Sequence, residues 1–144
     1  MASIFSKIVD GSIPCYKVYE DDDCLAFLDI NPNSFGHTLC ILKREVDYLF
    51  DLNDVEYNKL MNFSKKVANG LEKSVTCKRV ALSVVGLEVP HVHVHLIPLN
   101  SMSDMDFSKN IQLEKKTPET PEPPPPDPPL LPVAGPPQTR KAQK

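Results

Sequence analysis

No apolar run in this chain approaches the roughly 18 residues needed to span a membrane. Its opening, MASIFSKIVDG, lacks the long apolar stretch of a signal peptide. The four cysteines, Cys15, Cys24, Cys40 and Cys77, include no C-x-x-C pair. They read as free thiols, mostly small buried hydrophobes, in a cytoplasmic protein. Net charge is only −3 and the two signs are interspersed, so no extended nucleic-acid-binding face is expected. A small anionic ligand would need locally placed donors instead. Histidine is scarce too: His37, His91, His93 and His95 are all there are.

What is present is ordinary for a globular domain, with 41% hydrophobic and 24% charged residues in a chain of 144. Proline is the exception, since eleven of the fifteen fall between Pro118 and Pro137. Proline fixes φ and lacks an N–H, so this stretch can form neither a helix nor a central strand. Residues 1–116 are therefore the expected folded domain. Residues 117–144 are the expected disordered tail, biased to polyproline II. PPPP and PLLP in the tail satisfy PxxP, a pattern that SH3 or WW domains bind, although so dense a run produces it by chance.

Within the domain, Ser3 can cap a short helix carrying Ile4, Phe5, Ile8 and Val9, with Gly11 just past its end. Val18–Glu20, Cys24–Asp29 and His37–Leu42 read as strands, the last two separated by a loop with Pro32, Asn33, Ser34 and Gly36. Asn53 and Glu56 have capping-box spacing. Val55, Leu60, Phe63, Val67 and Leu71 then form the apolar stripe of a long helix. Arg79–Val85 and Val92–Pro98 complete the set of strands. Short links between successive strands predict an α+β domain, an antiparallel sheet with one long and one short helix on one face.

The segment H91-V-H-V-H-L-I97 places three of the four histidines at alternate positions. Side chains alternate along a strand, so the histidines share one face while Val92, Val94 and Leu96 point into the core. Neighbouring α-carbons would lie roughly 6.6 Å apart and the outer pair about 13 Å apart. Three readings fit this pattern. A solvated strand face needs no chemistry at all. A zinc site would bring ligand nitrogens to about 2.0–2.1 Å from the ion, and the outer pair is too spread for all three to bind without help from His37 or a carboxylate. In covalent catalysis, one neutral imidazole attacks phosphorus while a neighbour handles a proton. Spacing alone does not choose among them.

The H-x-H-x-H motif followed by apolar residues resembles the signature of the histidine triad (HIT) hydrolases and transferases. The amino-terminal half, with F-S-K-I, the strand ending in Asp, the Pro loop and G-H-T-L, is similar to the same family. The resemblance covers about residues 3 to 109. It implies a HIT-like fold, a two-fold dimer and a purine nucleotide ligand resembling AMP. It also implies hydrolysis at the α-phosphate through a nucleotidyl-histidine intermediate, as in the Hint-like phosphoramidases. Other outcomes within the resemblance are dinucleoside polyphosphate hydrolysis and nucleotide binding without catalysis.

Residue by residue, the resemblance makes His93 the nucleophile and His95 the residue that contacts phosphate and moves a proton. His91 and His37 would be the supporting histidines. Asp29 would bind the ribose hydroxyls, with Ile30 lining the base pocket and Asn31 beside them. Ser83 sits near a ligand-contacting position, and Gly86 matches the glycine of the loop that approaches the triad. That loop departs from the common pattern at Leu87 and Glu88. From its place beside Val89-Pro90, Glu88 is expected to hydrogen-bond into the histidine cluster and to favour an amine leaving group. Zinc-bearing relatives carry C-x-x-C near the amino terminus, whereas this chain has Ser6 there, and Glu45 where they often carry His. No metal is therefore expected, and no cofactor is required. Mg²⁺ could accompany a polyphosphate substrate.

Overall fold

The computed structural model describes residues 2–108. The boundary at 116 and the proline-rich segment lie outside them. Helix α1 (Ile4–Val9) starts where expected, because the Ser3 hydroxyl accepts the Ser6 N–H. Strands β1 (Lys17–Glu20), β2 (Cys24–Leu28) and β3 (Thr38–Leu42) follow, then the long helix α2 (Asp54–Ser74), and then β4 (Arg79–Ser83) and β5 (His93–Leu99). The strands form one sheet in the order β1-β2-β3-β5-β4. Every neighbouring pair is antiparallel.

Register divides the side chains cleanly. On one face Cys24, Ala26, Cys40, Leu42, Val92, Val94 and Leu96 meet Leu60, Phe63, Val67 and Leu71 of α2. On the other, Leu25, Phe27, Leu39 and Ile41 meet Phe5 of α1. Burying each valine, leucine, isoleucine or phenylalanine among them contributes about 1.5–3 kcal/mol. The two helices therefore cover opposite faces of the sheet, not the same face as the strand pattern suggested. β2 is apolar at every position and β3 at all but Thr38, so both of their faces need a cover.

Two details of α2 depart from expectation. Val55 is exposed, because the first turn extends past the packed stripe. Asn53 caps the helix by accepting the Glu56 N–H, yet the Glu56 carboxylate does not fold back to complete a box. It pairs instead with Arg44 through two N–H···O bonds of 2.6 and 2.8 Å. Side-chain geometry across 12 residues outcompetes the local motif.

Gly36 occupies φ +92° in the loop that delivers His37, and a Cβ there would lie 3.0 Å from Val75 Cγ2 and 3.3 Å from the Pro98 ring. Gly36→Ala combines left-handed strain with crowding, so it should cost about 1–3 kcal/mol in urea unfolding. A loss below a few tenths would mean that the loop relaxes freely.

Candidate active site

The face of the sheet under α1 carries the histidines. His93 opposes Ile41 and His95 opposes Leu39 on β3, while Ser83 opposes His95 from β4. His91 sits two residues before β5 begins. All three triad histidines and His37 are buried. This overturns the picture of an open strand face. Phe5 lays its ring edge-on to His91 and His93, with centroids 5.9 and 4.9 Å away. Phe107 approaches His95 at 4.9 Å and His37 at 6.2 Å. Phe107 escaped the sequence reading and Phe5 entered it only as an apolar residue of α1, since nothing there marks either as a neighbour of the histidines.

The hydrogen bonds fix the tautomers, because a backbone N–H can only donate and a carbonyl can only accept. The Asn33 N–H donates to His37 Nδ1 over 2.9 Å. Neutral His37 therefore carries its proton on Nε2 and donates it to His95 Nδ1, 3.0 Å away. His95 in turn carries its proton on Nε2. The second chain runs through His91. Its Nε2–H donates to the Leu42 carbonyl at 2.7 Å, so its Nδ1 accepts from the Ser3 hydroxyl at 2.9 Å. The His91 carbonyl accepts His93 Nδ1–H over 2.7 Å. Among the described residues that leaves the His93 Nε2 lone pair free. The site thus offers one nucleophilic nitrogen and, on the adjacent ring with its centroid 5.1 Å away, one N–H donor.

Electrostatics agree with neutral supports. Burial, and then the neighbouring imidazole, pushes the His37 pKa down to about 3 and that of His95 to about 4. Burial also lowers His91, against the opposing pull of the Leu42 carbonyl and Glu45. Asp29 follows β2, and its N–H bonds the His37 carbonyl. Its Oδ1 accepts the Asn31 N–H at 2.9 Å and its Oδ2 lies 3.4 Å from His37 Nε2. Burial raises the Asp29 pKa, partly offset by the Asn31 N–H.

Asp29, His37 and His95 have donor atoms that all lie within 4.8 Å of one another, a spacing that could suit a cation. The protonation pattern argues otherwise. With the Asn33 N–H on Nδ1, the His37 Nε2 already holds the ring's only proton. A metal there would require breaking the Asn33 bond or making an imidazolate. The arrangement is a hydrogen-bonded chain from the Asn33 N–H through His37 to His95.

Five of the expected residues, His37, His91, His93, His95 and Asp29, are brought together. Ser83 joins by register. Ile30, Asn31 and Glu88 are exposed. Among the described residues Glu88 has no hydrogen bond to a histidine, so the expected contact does not form. Its loop runs outward, and an exposed carboxylate keeps its water. Gly86 takes φ +69° at the start of the same loop.

A five-stranded antiparallel sheet with two supporting chains of hydrogen bonds behind an H-x-H-x-H strand defines a histidine triad domain. The HIT domain family model matches residues 10–102, and the chain belongs to that family. An uncharacterised HIT-like protein of Borreliella burgdorferi is 36% identical over 123 residues, covering 78% of this chain and 88% of that one. An adenosine 5'-monophosphoramidase of Schizosaccharomyces pombe is 37% identical over 99 residues, covering 68% and 74%. A crystal structure of a HIT family protein from Bacillus anthracis shares 38% identity and a TM-score of 0.66 over 70% of this chain and 75% of that one. Among the described residues no helix is long and apolar enough to cross a membrane.

Proposed function

We propose that the protein hydrolyses nucleoside phosphoramidates or related AMP conjugates at the α-phosphate. The carrying observation is His93 Nδ1–H held by the His91 carbonyl, which leaves Nε2 unprotonated beside the His95 N–H donor. The Nε2 lone pair of His93 forms a bond to phosphorus as the bond to the leaving nitrogen breaks, its electron pair staying on that nitrogen. The leaving nitrogen takes the proton that His95 presents at Nε2 as a solvent proton replaces it, so the His95–His37 pair ends the step neutral. Positive charge gained by the His93 ring is set against the anionic phosphate. Water then attacks phosphorus, loses a proton past His95 to solvent, and releases AMP and free His93. Splitting one displacement into two lets the same pair of rings act in both directions.

Asp29 keeps lone pairs beyond those used by Asn31 and His37, enough to accept from a ribose diol. Ile30 and Asn31 would flank the nucleoside, and Ser83 and Gly86 the phosphate end. A two-fold dimer and a cytoplasmic setting belong to the same reading. The Schizosaccharomyces pombe relative, named as an adenosine 5'-monophosphoramidase, supports the amine leaving group.

The test is AMP release from an adenosine phosphoramidate and from a diadenosine polyphosphate, the latter with and without Mg²⁺. Faster kcat/KM on the phosphoramidate is expected. Turnover of the polyphosphate alone would replace the leaving group. AMP binding without turnover of either would leave a nucleotide-binding adaptor.

A further inference from the structure

We propose that Ser3 and Glu45 are positioning residues that hold the nucleophile through His91. Ser3 does two things with one hydroxyl. It accepts the Ser6 N–H at 3.0 Å as the cap of α1, and it donates to His91 Nδ1 at 2.9 Å, 88 residues away. Glu45 secures the cap from the other side. Its Oε1 accepts the Ser3 N–H at 2.9 Å and the Ser6 hydroxyl at 2.6 Å. These contacts hold the Glu45 carboxyl below its usual range, the Ser6 hydroxyl first among the causes. Ser3 and His91 are both buried, so neither can exchange its partner for water at no cost.

The consequence passes to His93 by a short path. The His91 ring is pinned at both nitrogens, by Ser3 on one side and by the Leu42 carbonyl on the other. Pinning the ring orients the residue whose carbonyl holds His93 Nδ1–H. The same first turn of α1 carries Phe5 against the His91 and His93 rings. Loss of the clasp frees the His91 ring and loosens the bond that selects the His93 tautomer. His93 then spends part of its time with the proton on Nε2, where it cannot attack. The Ser3 hydroxyl is already paired with His91 and the Ser6 N–H, and the Ser6 hydroxyl with the Glu45 carboxylate. Hydroxyls are poor zinc ligands beside thiolates, so this donor set fits a hydrogen-bonded clasp and does not fit a structural zinc.

The kinetic arm of the test rests on the hydrolase reading; the spectroscopic arm does not. Long-range ¹H–¹⁵N spectra of the histidine rings report tautomers without any substrate. The wild type should show one tautomer for His93, protonated at Nδ1. Ser3→Ala should show a mixture at His93 while His37 and His95 keep their signals. On the phosphoramidate its kcat should fall about tenfold with KM within twofold, a size expected of misaim rather than lost chemistry. Ser3→Thr, which keeps the hydroxyl, should restore both readouts. Glu45→Ala, at an exposed position where folding is not at risk, should move both in the same direction by about threefold. A wild-type His93 signal and wild-type kcat in both Ser3→Ala and Glu45→Ala would overturn the proposal. The tautomer shift without turnover in any protein would keep the clasp and sink the hydrolase.

Discussion

His93→Ala is expected to lower kcat on the phosphoramidate by on the order of 10⁴- to 10⁶-fold, the range seen when a covalent nucleophile is deleted. AMP affinity should change only severalfold. The change removes an imidazole with a free Nε2 but leaves Asp29, His37 and His95 with their mutual contacts. Two measurements decide the assignment. Rapid quench of wild type with labelled substrate into alkaline denaturant should trap a nucleotidyl-enzyme, and the same quench of His93→Ala should trap none. A labelled adduct in the variant would move the nucleophile elsewhere. The substitution also removes the edge contact with Phe5, so a control unfolding curve is needed to show that the variant is folded at the assay temperature.

His95→Ala carries the second-largest effect, and its signature lies in the leaving group. A general acid contributes about 10²- to 10⁴-fold when the departing atom is a strong base. With a simple amine leaving group, kcat should fall within that range. With a nitrophenolate leaving group, which departs without a proton, the fall should shrink to about tenfold or less. The diagnostic is the slope of log kcat against leaving-group pKa, steeper in His95→Ala than in wild type. Parallel slopes would make His95 a phosphate-binding residue and leave the proton to another source. His37 would share the effect in weaker form, since its Nε2–H fixes the proton of His95 on Nε2.

Histidines that titrate well below neutrality make this division of labour stable. His37 and His95 are held near pKa 3 and 4 mainly by burial, so neither charges at physiological pH. Neutral rings keep the direction of each hydrogen bond fixed. A charged His37 would carry a proton on Nδ1 that faces the Asn33 N–H.

Much of this was legible in the sequence. Alternation in H91-V-H-V-H-L96 determined which side chains face α2, because Val92, Val94 and Leu96 could be buried together in only one register. Ser3 and Asn53 marked the starts of both helices, since a side-chain oxygen on the first free N–H groups is a local interaction. The family motif named the histidines and Asp29 for the same reason: identity at fixed spacing survives without coordinates. Other features were decided only by tertiary structure. That α1 crosses to the opposite face from α2 depends on β2 and β3 being apolar on both sides, and periodicity cannot say which helix takes which side. The burial of the histidines depends on Phe5 and Phe107, whose partners lie far along the chain. Glu88 was placed near the cluster by sequence neighbourhood, and the loop carried it to solvent. The tautomers, and with them the distinction between a nucleophile, a proton donor and two props, rest on Asn33, Leu42 and Ser3. Leu42 and Ser3 reach His91 across the fold, and a one-dimensional pattern does not contain such long-range hydrogen bonds; the Asn33 bond spans one loop, whose conformation the sequence does not give.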